Sequence, residues 1–252
     1  MLERLLQVVR DEERAVLFTV VEGDGAGTRL LVLDSGETVG DGPSELADRF
    51  AEVLRGHRNT LLEPPGRKVF AEVYGPPPTL LVYGAVDTAE SLCAIARPVG
   101  FRTVVGDARA TFLTPERIPS ADRLVVGWPE DVLAEVQPDF TTAIVVLTHD
   151  DKFDVPLLKA ALETEALYVG ALGSRRNQTR RRERLMEEGV SEEALARIHG
   201  PAGLDLGGGT PAETALAILA EIVAVRAGRT GGSLREAKGR IHADTDAAPA
   251  PS

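Results

Sequence analysis

The chain has 252 residues, 28 lysines and arginines against 39 aspartates and glutamates, a net charge of −11 at pH 7, and one cysteine. That length suits one large or two small domains with a real core, and the 43% apolar content is ordinary for a globular protein. A single cysteine excludes an intrachain disulfide framework and a multi-cysteine zinc site, and the acidic balance argues against general binding to nucleic acid or anionic membranes.

The sequence contains no predicted membrane span or export signal. No run approaches the roughly 20 apolar residues that a bilayer span needs. The opening segment, MLERLLQVVRDEER, lacks the apolar stretch of a signal peptide. We therefore expect a cytoplasmic location, with no nucleic-acid partner and no membrane partner.

Residues 1–75 predict a small N-terminal α/β domain. An amphipathic helix comes first, with its apolar side formed by Leu2, Leu5, Leu6 and Val9. The segments AVLFTVVE and TRLLVLDSG read as strands joined by a GDGAG hairpin, a further helix starts at Pro43-Ser44, and RKVFAEVY alternates like a strand. The stiff PPP run at 76–78 predicts the domain boundary.

Residues 76–230 alternate between short apolar strands and helical segments. Near-continuous Val, Leu and Ile runs in this arrangement predict a doubly wound, parallel-sheet, Rossmann-like α/β domain with helices on both faces. Two further helices are predicted near 191–199 and 211–227. The remaining residues, 231–252, are polar and proline-rich, and we predict a disordered tail.

Ligands of such sheets bind at the carboxyl ends of the strands, where strand order reverses. With the usual 3-2-1-4-5 order, the strands that end at Gly84 and at His149 flank this crevice. The loop from Gly84 stands where a dinucleotide fingerprint would lie, but Val86 replaces its middle glycine, and Asp107 lies near the distance expected of a ribose-binding carboxylate. A vestigial nucleotide loop and retained NAD(P) binding are equally compatible with this pattern.

The window Arg175 to Arg184 holds six arginines and one glutamate and follows the turn Gly173-Ser174. Ser174 suits a helix N-cap, and two arginines in the first turn oppose the helix macrodipole by about 0.3–1 kcal/mol each. A bound anion would reverse that sign, so Arg175 and Arg176 predict a phosphate or other polyanionic ligand. The alternative is a solvated helix in which Arg184 pairs with Glu188, which explains residues 180–184 better than 175 and 176.

Two further polar segments have both a functional and a structural interpretation. His149, with the nearby carboxylates of Asp150, Asp151 and Asp154, could ligate a metal or transfer protons, or the group could cap its loop. His199 has the same ambiguity. The sequence from Thr210 to Glu213 is a capping box with proline at the first helical position, and the glycines at 207–209 before it leave room for a ligand.

The segments THD, YVGALGSRR and GLDLGGGTPAETALAILAEIVAVR together resemble the C-terminal Rossmann domain of the XdhC/CoxI family, from about Val69 to Arg226. The resemblance implies an accessory protein rather than an enzyme. Such a protein binds molybdenum cofactor (molybdopterin), protects it during sulfuration by a cysteine desulfurase, and delivers it to an apo molybdenum hydroxylase of the xanthine dehydrogenase or carbon monoxide dehydrogenase type. The pocket residues that it implies are Gly84, Ala85, Asp107, Arg109, His149, Asp150, Gly173, Ser174, Arg175, Arg176, Thr210 and Glu213.

The chain departs from the family pattern in two places. The family's first loop usually reads Gly-Ala-Gly-His-Val, whereas Val86 and Asp87 stand here. The family's N-terminal domain carries a Gly-Gly-Cys element, whereas Cys93 is the first cysteine of this chain and lies in the apolar run LCAIA, where we expect a buried small hydrophobe.

Two other functions stay open. An NAD(P)-dependent oxidoreductase is favoured by the βαβ pattern and Asp107 but opposed by Val86 and by the lack of an evident proton-transfer pair. A regulatory scaffold with a degenerate pocket is the third interpretation. The oligomeric state, including a homodimer, is open as well.

Overall fold

The computed structural model describes residues 1–236, so the predicted tail lies outside the described residues from position 237 onward. The chain divides at Pro76 into two compact units, the second of which comprises Pro77–Gly232. Among the described residues, no helix is both long and apolar enough to cross a membrane.

The N-terminal unit is built on an antiparallel sheet with the strand order β3-β2-β1-β5-β4. Its elements are α1 (Leu2–Arg10), β1 (Ala15–Gly23), β2 (Arg29–Leu33), β3 (Thr38–Gly40), a 3₁₀ turn (Ser44–Arg49) leading into α2 (Phe50–Arg55), β4 (Thr60–Leu62) and β5 (Arg67–Tyr74). The predicted β1–β2 hairpin is present, in the register Val16 opposite Val32. The short strands β3 and β4 were not predicted.

Helix α1 forms where the periodicity predicts it, but it faces the sheet differently. Val8 is fully buried and Leu5 partly buried against β1 and β2, whereas Leu2, Leu6 and Val9 are exposed. Leu5 and Val8 are three positions apart, so they project from one side of the helix, and that side packs on the sheet.

The second unit contains a parallel sheet flanked by helices. Its elements are β6 (Thr79–Tyr83), α3 (Asp87–Ala96), β7 (Arg102–Asp107), β8 (Arg123–Val126), α4 (Pro129–Val136), β9 (Ala143–Val146), α5 (Asp151–Leu162), β10 (Tyr168–Ala171), α6 (Arg175–Glu187), α7 (Glu192–Leu195), β11 (Ile198–His199) and α8 (Pro211–Arg226). The strand order across residues 77–232 is β11-β10-β9-β6-β7-β8, with every pair parallel. The predicted doubly wound fold is confirmed, and its first and fourth strands, β6 and β9, are neighbours.

Successive side chains of each strand point to opposite faces of the sheet and contribute to two hydrophobic cores. On β6, Leu80 and Val82 pack with α3 and α8, while Leu81 and Tyr83 pack with α4 and α5. Cys93 belongs to the first core and is fully buried, as its apolar run predicts. Helices cover both faces of the sheet, so the loops that follow the strands are exposed at its carboxyl edge. The polar groups of these loops lie there.

The helix predicted near 191–199 is shorter than expected. It ends at Leu195, and Ile198 and His199 then pair with Val169 and Gly170 of β10. These two residues add an unpredicted sixth strand to the edge of the sheet. The following segment therefore leaves the sheet at its carboxyl edge and runs to the start of α8.

Candidate functional site

Gly84 lies at the switch point between β6 and β9. Its φ is +116°, and a Cβ atom built there would come within 2.9 Å of Cγ2 and 3.1 Å of the backbone nitrogen of Thr148. A side chain would therefore meet both an unfavourable backbone conformation and the chain leaving β9. Close packing of neighbouring strands accounts for this glycine without a ligand.

The carboxylate of Asp107 is occupied by protein donors. It is 1% exposed, and it accepts hydrogen bonds at 2.9 Å from the backbone N–H of Ala85, the backbone N–H of Arg109 and the Arg109 guanidinium. Burial raises the pKa of Asp107, but these hydrogen bonds outweigh it and hold the pKa below its usual value. Asp107 thus fixes the Gly84 loop instead of presenting a free carboxylate to a ribose, and the geometry gives the NAD(P) interpretation no support.

The N-terminus of α3 also offers little to a phosphate. Val86 occupies the N-cap position and provides no side-chain cap, and Asp87 and Glu90 place negative charge in the first turn. Glu90 is further used by Ser120, whose N–H and Oγ donate to it at 3.1 and 2.6 Å. Because acidic groups already complement this end of the helix, a second anion would be repelled.

The carboxylates that follow His149 serve structural contacts. Asp150 caps α5 by accepting from the backbone N–H of Lys152 at 3.1 Å, and Asp154 is buried against Thr148 and Arg181. Across residues 1–236, no group of three or more His, Cys, Asp or Glu side chains is arranged to hold a metal ion. The exposed imidazole of His149 stands beside this capped loop.

Four of the six clustered arginines on α6 have carboxylate partners. Asp151 of α5 pairs with both Arg180 and Arg184. Asp154 pairs with the buried Arg181, and Glu192 of α7 pairs with Arg182. The expected pair between Arg184 and Glu188 is wrong, because Glu188 turns instead to Lys159 on α5. Tertiary neighbours replace the local partner.

Arg175 and Arg176 differ from those four. Both are exposed, and neither has an ion pair or side-chain hydrogen bond to any residue that the structure describes. Ser174 caps α6 by accepting from the Asn177 N–H at 3.3 Å, Gly173 has a φ of +135°, and the first turn contains no acidic residue. The helix therefore begins with two uncompensated cations where its dipole is also positive, which favours a bound anion.

Arg175 lines a cavity of about 370 Å³. Of its wall, the sequence predicted an open space only at the glycines before α8. Its wall is the segment between β11 and α8, together with the first turns of α8; the members are Pro201, Ala202, Gly203, Leu204, Asp205, Leu206, Gly207, Gly208, Glu213, Thr214 and Ala217. The predicted capping box is present, with Glu213 accepting from the N–H groups of Gly209 and Thr210 at 3.0 and 2.9 Å. These bonds lower the pKa of Glu213, and its carboxylate occupies the start of α8.

A polar cluster that the sequence did not reveal holds the cavity wall in place. Glu221 accepts from the Tyr168 hydroxyl at 2.5 Å and from the Gly203 N–H at 2.7 Å, and its other oxygen lies 3.1 Å from Nδ1 of His199. The His199 ring stacks on Tyr168 with centroids 4.5 Å apart. Burial, and secondarily Glu221, raise the pKa of the Tyr168 hydroxyl well above its usual value. His199 thus has a carboxylate partner, and the cluster ties β10 and β11 to α8.

The structure brings some of the twelve predicted site residues together in two places. Ala85, Asp107 and Arg109 form one hydrogen-bonded assembly beside Gly84, after β6 and β7, whereas Arg175 and Glu213 line the cavity beside α6 and α8. That these residues bind a cofactor stays a prediction. Two parts of this region were not predicted from the sequence: the wall segment from Pro201 to Leu206, and Glu221. The glycine-rich run GLDLGGG does indicate an open loop there.

Comparisons with known proteins match this domain. Residues 80–222, more than half of the chain, match the family described as the XdhC Rossmann domain. A solved structure of a xanthine dehydrogenase from Bacillus halodurans is similar with a TM-score of 0.66 and 25% identity, covering 92% of this chain and 66% of that one.

Three relatives are similar over part of their length. A probable xanthine dehydrogenase subunit of Bacillus subtilis (strain 168) is 30% identical over 158 residues, 63% of this chain and 46% of that protein. The molybdenum cofactor insertion chaperone PaoD of Escherichia coli (strain K12) is 30% identical over 147 residues, 58% and 40% of the two chains. The uncharacterized protein YqeB of the same organism is 32% identical over 168 residues, 65% and 30%. The matched part is therefore less than half the length of each relative.

Proposed function

Because the chain belongs to the XdhC family, we propose that it is an accessory protein that binds molybdenum cofactor for the maturation of a molybdenum hydroxylase. The names of two relatives, a molybdenum cofactor insertion chaperone and a xanthine dehydrogenase subunit, support this role. The cofactor is the cargo, and the partner that receives it is an apo-hydroxylase.

The observation that carries the proposal is the pair of uncompensated arginines at the start of α6. A guanidinium can donate two parallel hydrogen bonds to a phosphate, and the amides of a helix N-terminus favour the same charge. Molybdopterin carries a phosphate, and the adjoining cavity of about 370 Å³ falls within the range of pockets that hold small organic ligands. We assign the phosphate to Arg175 and Arg176 and the body of the ligand to the cavity.

Recognition by this domain is directed at the organic part of the cargo. Burial raises the pKa of the Cys93 thiol to about 12, so the chain's single cysteine is a neutral thiol in the core. The cavity wall offers Arg175, backbone amides of a glycine-rich segment and carboxylates. These groups bind and orient a phosphorylated organic molecule.

The test is retention of molybdenum and organic phosphate by protein purified from cells that make the cofactor. We expect both elements to co-purify with the wild type and to be lost from the Arg175→Ala/Arg176→Ala variant. The Arg175→Lys/Arg176→Lys variant, which keeps the charge but not the forked donors, should retain an intermediate amount. Arg229→Ala, which removes an exposed arginine outside the cavity, is the control and should behave as wild type.

Transfer to a partner gives a second readout. Loaded wild-type protein should activate a purified apo-hydroxylase, and the double alanine variant should not. Equal molybdenum and phosphate content in wild type and double variant, with the fold intact by circular dichroism, would refute the anion site.

A further inference from the structure

The cavity beside α6 contains one cation and one anion that are both without a partner within residues 1–236. Arg175 is the cation, and Asp205, an exposed residue of the wall segment, is the anion. No ion pair joins the two. The other carboxylate of the wall, Glu213, is consumed by its capping box. A ligand that fills the cavity therefore meets a guanidinium and a separate free carboxylate.

A free carboxylate in a cavity selects for donors in a particular arrangement. Its two oxygens can accept parallel hydrogen bonds from a ring N–H and a neighbouring amino group that point in the same direction. The 2-amino-4-oxopyrimidine ring, which pterins and guanine share, presents such an edge. Adenine does not, because the ring nitrogen beside its amino group is an acceptor.

The wall that Asp205 shares is lined by several small residues, which leave room for a flat ring. Five of the lining residues have side chains no larger than a methyl group: Ala202, Gly203, Gly207, Gly208 and Ala217. Gly203 is held in place by its N–H donating to Glu221 at 2.7 Å, so this part of the wall is fixed by a hydrogen bond to α8. A ring lying on these residues would meet little steric obstruction.

We propose that Asp205 is a specificity-determining residue that recognises the 2-amino-4-oxopyrimidine edge of a phosphorylated ligand whose phosphate contacts Arg175. This inference rests on the proposed function and goes beyond it, because it names the chemical group that the cavity reads and the residue that reads it. The same chemistry can come from a pterin phosphate or from a guanine nucleotide, and the two differ in the ring fused to the shared edge.

The experiment is isothermal titration of the full chain with a pterin monophosphate, GMP, AMP and inorganic phosphate. We expect the pterin monophosphate and GMP to bind at least about tenfold more tightly than AMP, since one charged hydrogen-bonded edge is lost with adenine. Whichever of the pterin monophosphate and GMP binds more tightly identifies the class of ligand that the cavity recognises. In Asp205→Asn the preference over AMP should disappear, while the affinity for inorganic phosphate stays unchanged.

Glu183→Gln is the matched control, because it removes one negative charge from an exposed position of α6 that does not line the cavity. It should keep the wild-type preference. A preference over AMP that survives Asp205→Asn, or a wild type without that preference, overturns the inference. The proposed function stands in either case if the pterin monophosphate still binds in an Arg175-dependent manner. A wild type that binds none of the phosphorylated probes overturns both.

Discussion

Asp154 and Arg181 form a buried ion pair between α5 and α6, with Oδ2 of the carboxylate 2.6 Å from Nη2 of the guanidinium. The Asp154 carboxylate also accepts from the hydroxyl of Thr148, which lies two residues after the end of β9. The guanidinium donates further to Oε1 of Gln178 and to the carbonyl of Leu172. One buried arginine thus connects the start of α6, the end of β10 and the first turn of α5.

Removing the arginine of this pair should strongly destabilise the fold. We expect Arg181→Met to lower the free energy of unfolding by about 3–5 kcal/mol, because it leaves a buried carboxylate without its cation. Arg182→Met is the control: its partner Glu192 is largely exposed, so the loss should stay below about 1 kcal/mol. Urea unfolding measures the free energy of unfolding of both variants. Equal losses would contradict the conclusion that buried Arg181 stabilises the contact between α5 and α6.

Asp107 should make the stability depend on pH in the acid range. Its folded-state pKa lies below the unfolded value of about 3.9, so its contribution is complete above that value and is lost as pH falls through the folded pKa. We expect Asp107→Asn to cost about 1.5–3 kcal/mol at pH 7 and progressively less below about pH 4. Urea unfolding of wild type and variant from pH 3 to 7 tests this, and a difference that grows on acidification would reverse the sign.

Gly84 and Gly100 allow strain to be separated from steric conflict. Both have positive φ, +116° and +92°, but a Cβ atom at Gly100 meets nothing within 4 Å, whereas one at Gly84 meets Thr148. Gly100→Ala should cost roughly 1–2 kcal/mol from the backbone conformation alone. Gly84→Ala should cost measurably more by thermal or urea unfolding, and equal costs would show that β9 yields to the added methyl group.

The Glu221 cluster should support ligand binding through the cavity wall. Tyr168→Phe removes one hydrogen bond and should cost about 1 kcal/mol of stability. Glu221→Ala leaves the Gly203 N–H and the Tyr168 hydroxyl without their acceptor, so it should cost more and should also weaken binding of a pterin monophosphate. Glu221→Gln, which keeps an acceptor oxygen, should restore part of that affinity. An unchanged affinity in Glu221→Ala would show that the wall does not depend on this cluster.

Much of the second domain could be predicted because its signals are local. Continuous apolar strands alternating with helices predict a parallel sheet, and the usual 3-2-1-4-5 strand order of such sheets correctly places β6 beside β9. β11 escaped prediction because two residues, Ile198 and His199, carry no period of their own. Their pairing with β10 depends on where the preceding helix returns the chain.

The candidate site was predictable only where charge and helix geometry coincide. Arg175 and Arg176 stood out because they follow an N-cap serine at a positive helix end, and they alone among the clustered arginines lack carboxylate partners within the described chain. The roles of Asp205 and Glu221 could not be read from the sequence. The contacts of Glu221 join residues 18 to 53 positions apart, which only the tertiary arrangement brings together.

The internal pairing of the α6 arginines limits how ionic strength acts on the site. Three carboxylates, those of Asp151, Asp154 and Glu192, offset three of the four paired charges. Salt therefore acts on an anionic ligand mainly by screening its attraction to Arg175 and Arg176. The Debye length at physiological salt is about 8 Å, so those two act almost as a local contact. We therefore expect an anion bound at Arg175 and Arg176 to be held through short-range contacts, so that its affinity depends only weakly on salt concentration.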